Sequence, residues 1–167
     1  LPQIVRQLSI ADSEFMIGTL SALPQAGLVA GLFLNARHSD RHGERLWHTA
    51  AGALLGGVAL LAAVNLPVGP GVLVMLVVAG FGIGAAQGVF WTVPAALGIG
   101  DGDVPIGVIA AVSMAGTAGG IVGPRLMGGL VERFGSHSPA IVILAGFLLL
   151  AAVVLAPRAV KQRRTAT

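Results

Sequence analysis

The chain has 167 residues, 55 % of them apolar and only 10 % charged, whereas about a quarter of a soluble domain is charged. A formal charge of +3 does not imply a nucleic-acid partner, because the Lys and Arg residues lie in the gaps between apolar stretches and form no basic face. Cysteine is absent, which excludes a disulfide framework, thiolate metal sites and thiol catalysis.

In chain order, Leu1-Pro-Gln-Ile-Val-Arg6 comes first. It is too short to span a membrane and lacks the layout of a signal peptide. Residues 1–14 are expected to be the end of a transmembrane helix followed by an external loop, and the chain a C-terminal fragment of a longer protein. Five apolar stretches follow, at 15–34, 49–66, 71–93, 104–130 and 139–156. At 1.5 Å per helical residue, each covers the roughly 30 Å of a hydrocarbon core. Residues 157–167 read as a basic tail. The fold class is therefore all-α, a polytopic transmembrane helical bundle in a lipid bilayer.

Orientation follows from the Lys and Arg positions. With five spans the two ends lie on opposite sides of the membrane. One side collects Arg37, Arg41, Arg45, Arg158, Lys161, Arg163 and Arg164; the other has Arg6, Arg125 and Arg133. The richer side, which holds the C-terminus, is expected to be cytoplasmic. The segment 94–103 on that side carries no positive charge and two aspartates, which does not alter a rule that counts Lys and Arg.

Glycine recurs every four residues at Gly80, Gly84 and Gly88, and in the pairs Gly52/Gly56, Gly116/Gly120 and Gly119/Gly123. Apolar area gives helices little reason to associate in lipid, so close backbone approach must supply it, and these glycines read as packing seams. Gly80-Phe-Gly82-Ile-Gly84 has the look of a dinucleotide loop, but it follows no soluble strand and is not read as one. Pro24 and Pro124 lie inside spans, where each removes a helical hydrogen bond and allows a packing kink or a hinge.

Polar residues at membrane depth are the candidate site. Gln25 lies about 15 Å into its span, and Ser113 and Thr117 about 14 and 20 Å into theirs; Gln87 lies nearer the cytoplasmic side. An amide in lipid needs partners, so Gln25 and Gln87 either join helices or line a wet cavity. Ser113 and Thr117 can also satisfy themselves on the preceding turn. Arg125 falls about 32 Å along its span, where it snorkels to the interface or attracts an anion. No Asp, Glu, Lys or His lies at mid-membrane depth, so a proton-coupled mechanism must draw its titrating group from elsewhere. His38, His42 and His48 cluster in the basic segment, but no carboxylate and open coordination position accompany them in a defined scaffold, so they read as a solvated loop and not as a metal site. No Ser/His/Asp set or Gly-x-Ser-x-Gly turn is present, so neither an enzyme nor a cofactor is expected.

The segment Ala36-Arg-His-Ser-Asp40-Arg41-His-Gly43-Glu44-Arg45 resembles the signature Gly-x-x-x-Asp-Arg-x-Gly-Arg-Arg of major facilitator transporters. Ala36 stands for the first glycine and Glu44 for the first of the paired arginines. With Trp47-His48 following, it is similar to the anion:cation symporter branch. Leu1-Pro2-Gln3-Ile4-Val5, Phe90-Trp91-x-x-Pro94 and Gly116-x-x-Gly119-Gly120-x-x-Gly123-Pro124 match the ends of the seventh and tenth helices and the eleventh helix, in the right order.

The resemblance implies that the spans are helices eight to twelve of a twelve-helix transporter, the C-terminal six-helix half, with an N-terminal half as partner. It implies substrate binding at the midplane by Gln25, Gln87, Ser113 and Thr117. It also implies a cytoplasmic latch of Asp40, Arg41, Gly43 and Arg45, whose carboxylate would meet a helix N-terminus of the other half. Members of the branch move small organic anions, typically with a proton or another cation. Relatives resembling tartrate carriers show asparagines where this chain has Ser113 and Thr117, and an aromatic where it has Gln25, so the anion is not named. The expected location is the plasma (inner) membrane of a bacterium. The alternative reading is a structural or regulatory membrane subunit that packs through its small-residue seams.

Overall fold

The computed structural model describes residues 2–7, 13–99 and 105–165, with side chains described as far as residue 160. The helices are α1 (Pro2–Gln7), α2 (Glu14–His42), α3 (Arg45–Asn65), α4 (Pro70–Phe90), α5 (Val93–Ala96), α6 (Ile106–Phe134) and α7 (Ser138–Thr165). Five of them, α2, α3, α4, α6 and α7, are long and apolar enough to cross a membrane. Leu1, Asp101, Asp103 and Val104, on which parts of the sequence reading fall, lie outside the described residues.

The ends of the helices depart from the apolar ranges for local reasons. Ser13 caps α2, accepting from the Met16 amide at 3.2 Å. Helix α2 then continues two turns past the apolar range, through Arg37, Asp40 and Arg41 to His42, and only there does Gly43 turn it off with φ 70°. The basic segment is therefore helix, not loop, because nothing in 35–42 breaks the pattern until a glycine takes the left-handed cap. Helix α4 stops at Phe90, short of residue 93, where the Thr92 hydroxyl binds the Val89 carbonyl at 2.7 Å. Pro94 then sits in the first turn of the short α5, where its missing N–H costs nothing. Helix α6 runs on to Phe134 and ends on left-handed Gly135. Helix α7 continues through Pro157 to Thr165, so the basic tail is a helical extension.

Packing runs in the order α2, α4, α3, α7. The seam between α2 and α4 is glycine against backbone. A methyl group at Gly88 would lie 2.7 Å from the Leu32 carbonyl oxygen, and methyls at Gly80 and Gly84 would collide with the carbonyls of Pro24 and Leu28. Gly27 and Gly31 answer from α2, against Val77 and Phe81. Helix α3 holds two neighbours at once. Gly52 and Gly56 face Ala85, Ala86 and Ile83 of α4, while Gly57 faces Ala145 and Leu149 of α7. Such contact replaces the hydrophobic drive that lipid does not supply, through many small dispersion gains. Ala59, Leu60, Ala63, Leu76, Ala79 and Ala145 form the largest buried cluster, with Ile4 of α1 against it.

Helix α6 differs. None of its residues is buried, its main neighbour is α7, and Gly116, Gly119, Gly120 and Gly123 meet nothing within 4 Å. The seam expected on α6 has no partner among the described residues, whereas those on α3 and α4 do.

Candidate functional site

The four polar candidates do not form one constellation. Gln25 lines a small cavity of about 160 Å³ between α2, α3 and α4, with Pro24, Leu28, Leu60, Gly80 and Ile83. Gln87 lies exposed on α4, nearly two turns beyond Gly80, which faces Pro24, so the two amides sit at different levels. Ser113 and Thr117 are exposed on α6, which does not pack on α2 or α4. The Thr117 hydroxyl donates to the Ser113 carbonyl at 2.9 Å. It thereby satisfies itself inside its own helix.

The junction between α2 and α3 is far more organised. Gly43 caps α2 by donating its amide to the Ser39 carbonyl at 2.9 Å, and the Arg45 amide reaches back to the Gly43 carbonyl at 3.1 Å. The two helices are thus joined by Gly43 and Glu44 alone. Across this turn the Arg45 guanidinium pairs with the Asp40 carboxylate. Asp40 therefore has a partner within the chain, where the sequence reading looked for one outside it. Asp40, Arg37 and Arg41 share one exposed face of α2 with Phe33 and Ala36.

Behind this face lies a network with no precedent in the sequence reading. Helix α2, with 29 residues, is about 43 Å long and exceeds a 30 Å core by more than two turns. Its last residues, from Asn35 onward, stand outside the hydrocarbon. The Asn35 amide nitrogen donates to the Ala85 carbonyl at 2.7 Å and to the His48 carbonyl at 3.2 Å, tying α2 to α4 and α3 together. His48 is buried, which overturns its reading as part of a solvated loop. Its Nδ1 lies 2.6 Å from the Glu44 carbonyl oxygen. A carbonyl only accepts, so Nδ1 carries the hydrogen, and in the neutral ring Nε2 is left as an acceptor. That Nε2 lies 2.6 Å from Nδ1 of His38, which must therefore donate. His42 stacks on His38 with ring centroids 4.2 Å apart and donates Nδ1–H to the His38 carbonyl at 2.9 Å.

Desolvation first, then the neighbouring His42, His48 and Arg41, hold His38 below the ordinary histidine pKa, with Glu44 pulling the other way. Among the described residues, no group of three or more His, Asp or Glu side chains is arranged to hold a metal ion. The sequence signals that might have exposed this network were an asparagine just past an apolar range and histidines ten residues apart across a glycine. Neither is informative until the turn at Gly43 folds α3 back along α2.

The whole chain, residues 1–167, matches the family model described as Major Facilitator Superfamily. Two proteins of Agrobacterium vitis, each named "Putative tartrate transporter", are 32 % identical to it over 153 and 168 residues. These alignments cover 92 % and 97 % of this chain, and 34 % and 36 % of the relatives. "Putative metabolite transport protein NicT" of Pseudomonas putida is 31 % identical over 154 residues, covering 90 % of the chain and 34 % of the relative. No solved structure gives a significant match. The chain thus spans about a third of the length of the curated relatives it matches. An all-helical, partial bundle of five membrane-length helices and a family match over every residue lead to one conclusion: this chain belongs to the Major Facilitator Superfamily.

Proposed function

We propose that this chain is the C-terminal half of a secondary active transporter that takes up a small organic anion, a carboxylate, together with a proton or another cation. The observation that carries the reading is the family match over the whole chain, alongside relatives named for tartrate and metabolite transport. In this architecture substrate sits near the midplane between two halves that rock against each other. An N-terminal six-helix half would complete a cavity to which Gln25, Gln87, Ser113 and Thr117 would each contribute from this side. It would also cover α6, whose small-residue face has no partner among the described residues.

The latch would be the exposed face at the α2–α3 turn. Asp40, held by Arg45 in this structure, would exchange that partner for a helix N-terminus of the other half as the halves rock. Arg41 would pair with acids there, and Gly43 would keep the turn tight enough for Arg45 to reach Asp40. The coupling group would lie in the other half, because these spans hold no acid or histidine at mid-depth. The protein would sit in the inner membrane of a bacterium with its C-terminus in the cytoplasm. A purely structural or regulatory subunit is less favoured, since the relatives are named as transporters.

The test is uptake of labelled tartrate and related hydroxy-acid carboxylates into vesicles containing the full-length protein, under an inward proton gradient. Saturable uptake that collapses with a protonophore supports the reading. Folded protein that moves none of these carboxylates overturns it.

A further inference from the structure

Three imidazoles meet where α2 folds back onto α3. Ring centroids lie 4.2 Å apart for His38 and His42, 4.9 Å for His38 and His48, and 6.5 Å for His42 and His48. Nδ1 of His42 and Nδ1 of His48 each point at a backbone carbonyl, of His38 and Glu44, and so carry hydrogen in every charge state. Added protons go to the remaining nitrogens. His38 and His42 are exposed, so solvent protons reach them.

The facing nitrogens, Nδ1 of His38 and Nε2 of His48, lie 2.6 Å apart, which leaves room for one hydrogen between them. The neutral pair holds that one hydrogen. So does the pair with one added proton, because the extra hydrogen sits on Nε2 of His38. A second added proton puts hydrogen on both facing nitrogens, and the contact opens. Closed, the pair takes one proton beyond neutrality; open, it takes two. Opening is therefore linked to proton uptake.

The charges around the cluster do not cancel this linkage. Arg41 disfavours added charge on His38 and Glu44 favours it, while Asp40 and Arg45 pair with each other. Helices α4 and α5 contain no titratable residue. Among the described side chains, α7 contributes Arg158, which is folded onto the Val154 carbonyl. The Asp40–Arg45 ion pair spans the same two helix ends as the His38–His48 bond, so a change in their docking moves both.

We propose that His38, His42 and His48 form a proton-operated switch of the α2–α3 junction, whose opening in acid frees Asp40 from Arg45. Its effect on transport rests on the latch reading given above; the opening itself does not.

The test uses the full-length protein with its other cysteines replaced and Ser39→Cys as reporter. Ser39 lies one turn beyond Asn35 and is fully buried, and its hydroxyl has no partner among the described residues, so the change removes no hydrogen bond. Labelling by a dithiodipyridine, which reacts with thiols in acid, is followed from about pH 7.5 to about pH 5, across the histidine range. Each rate is divided by that of the denatured protein at the same pH. Below the ordinary histidine value the ratio should rise by up to about tenfold per pH unit, the limit for a difference of one proton. His48→Gln, whose side-chain oxygen accepts from His38 but takes no proton, should abolish the rise. His38→Gln, at an exposed position, should do the same and serves if His48→Gln fails to fold. A ratio that stays constant with pH overturns the switch, as does a rise that persists in either folded variant. Uptake with acid on the side of the C-terminus should slow severalfold more in the parent than in His48→Gln. Equal slowing overturns the link to the latch. A protein that moves no carboxylate overturns the transporter reading instead, and the labelling still decides whether the junction opens.

Discussion

His38 donates through Nδ1 to Nε2 of His48, 2.6 Å away, and this bond holds the last turn of α2 against the first turn of α3. In the neutral imidazole tautomers this direction follows from Nδ1 of His48 being committed to the Glu44 carbonyl.

Acidification should lower the stability of the fold through His38, which lies at this junction. His38 titrates lower in the folded protein than in the unfolded chain, so between the two values the unfolded state binds more protons and stability rises with pH. The contribution is fully present above the unfolded value near 6.5. It is lost as pH falls through the lowered folded value. Amide exchange at residues 38–48 should accelerate in that window, and His38→Gln should flatten the dependence. Exchange with no pH dependence beyond the intrinsic chemistry would refute this.

Asn35→Ala should destabilise the bundle by about 1 kcal/mol for each of the two carbonyl bonds lost, with α2 loosened from α3 and α4 together. Denaturant titration in micelles measures it. A variant as stable as the parent would mean that the clamp is redundant.

Gly84→Ala should cost about 1–3 kcal/mol by overpacking, because the new methyl meets the Leu28 carbonyl. Gly120→Ala should leave the stability of this chain unchanged, since that position meets nothing within 4 Å. If Gly120→Ala instead impaired the full-length protein, α6 would be shown to pack against a segment beyond this chain.

Asp40→Asn should slow transport by the full-length protein while barely altering stability, because exposed ion pairs contribute about 0–1 kcal/mol. Uptake assays beside a stability measurement separate the two effects. Unchanged uptake would remove the latch.

The chain has no native cysteine, so single cysteines at positions 25, 87, 113 and 117 give a clean background in it. A substrate cavity predicts labelling by aqueous thiol reagents in the full-length protein and protection by a transported carboxylate. Labelling absent at all four positions would indicate a dry packing role.

Much of the bundle was legible before any coordinates. The seams at Gly80, Gly84, Gly88, Gly52 and Gly56 followed from the four-residue spacing, because small residues at that interval line one helix face whatever lies opposite. The same spacing on α6 states only that the helix can be approached closely and not by what, and no described residue lies within 4 Å of a methyl placed on those glycines. Asn35 and His48 were passed over for a related reason. Their partners lie on other helices, at Ala85, fifty residues away, and at His38, across the Gly43 turn.

What the sequence determined by itself is the solvent and the class of fold. Transfer into lipid is summed residue by residue along a stretch, and a backbone in lipid must satisfy itself as helix. Only the tertiary structure decided which faces meet. It made Asp40 the partner of Arg45, buried His48 under α2, left the glycine face of α6 without a neighbour among the described residues, and opened a groove beside Trp47. Those outcomes depend on the register of one helix against another, a property of pairs of segments that no single segment carries.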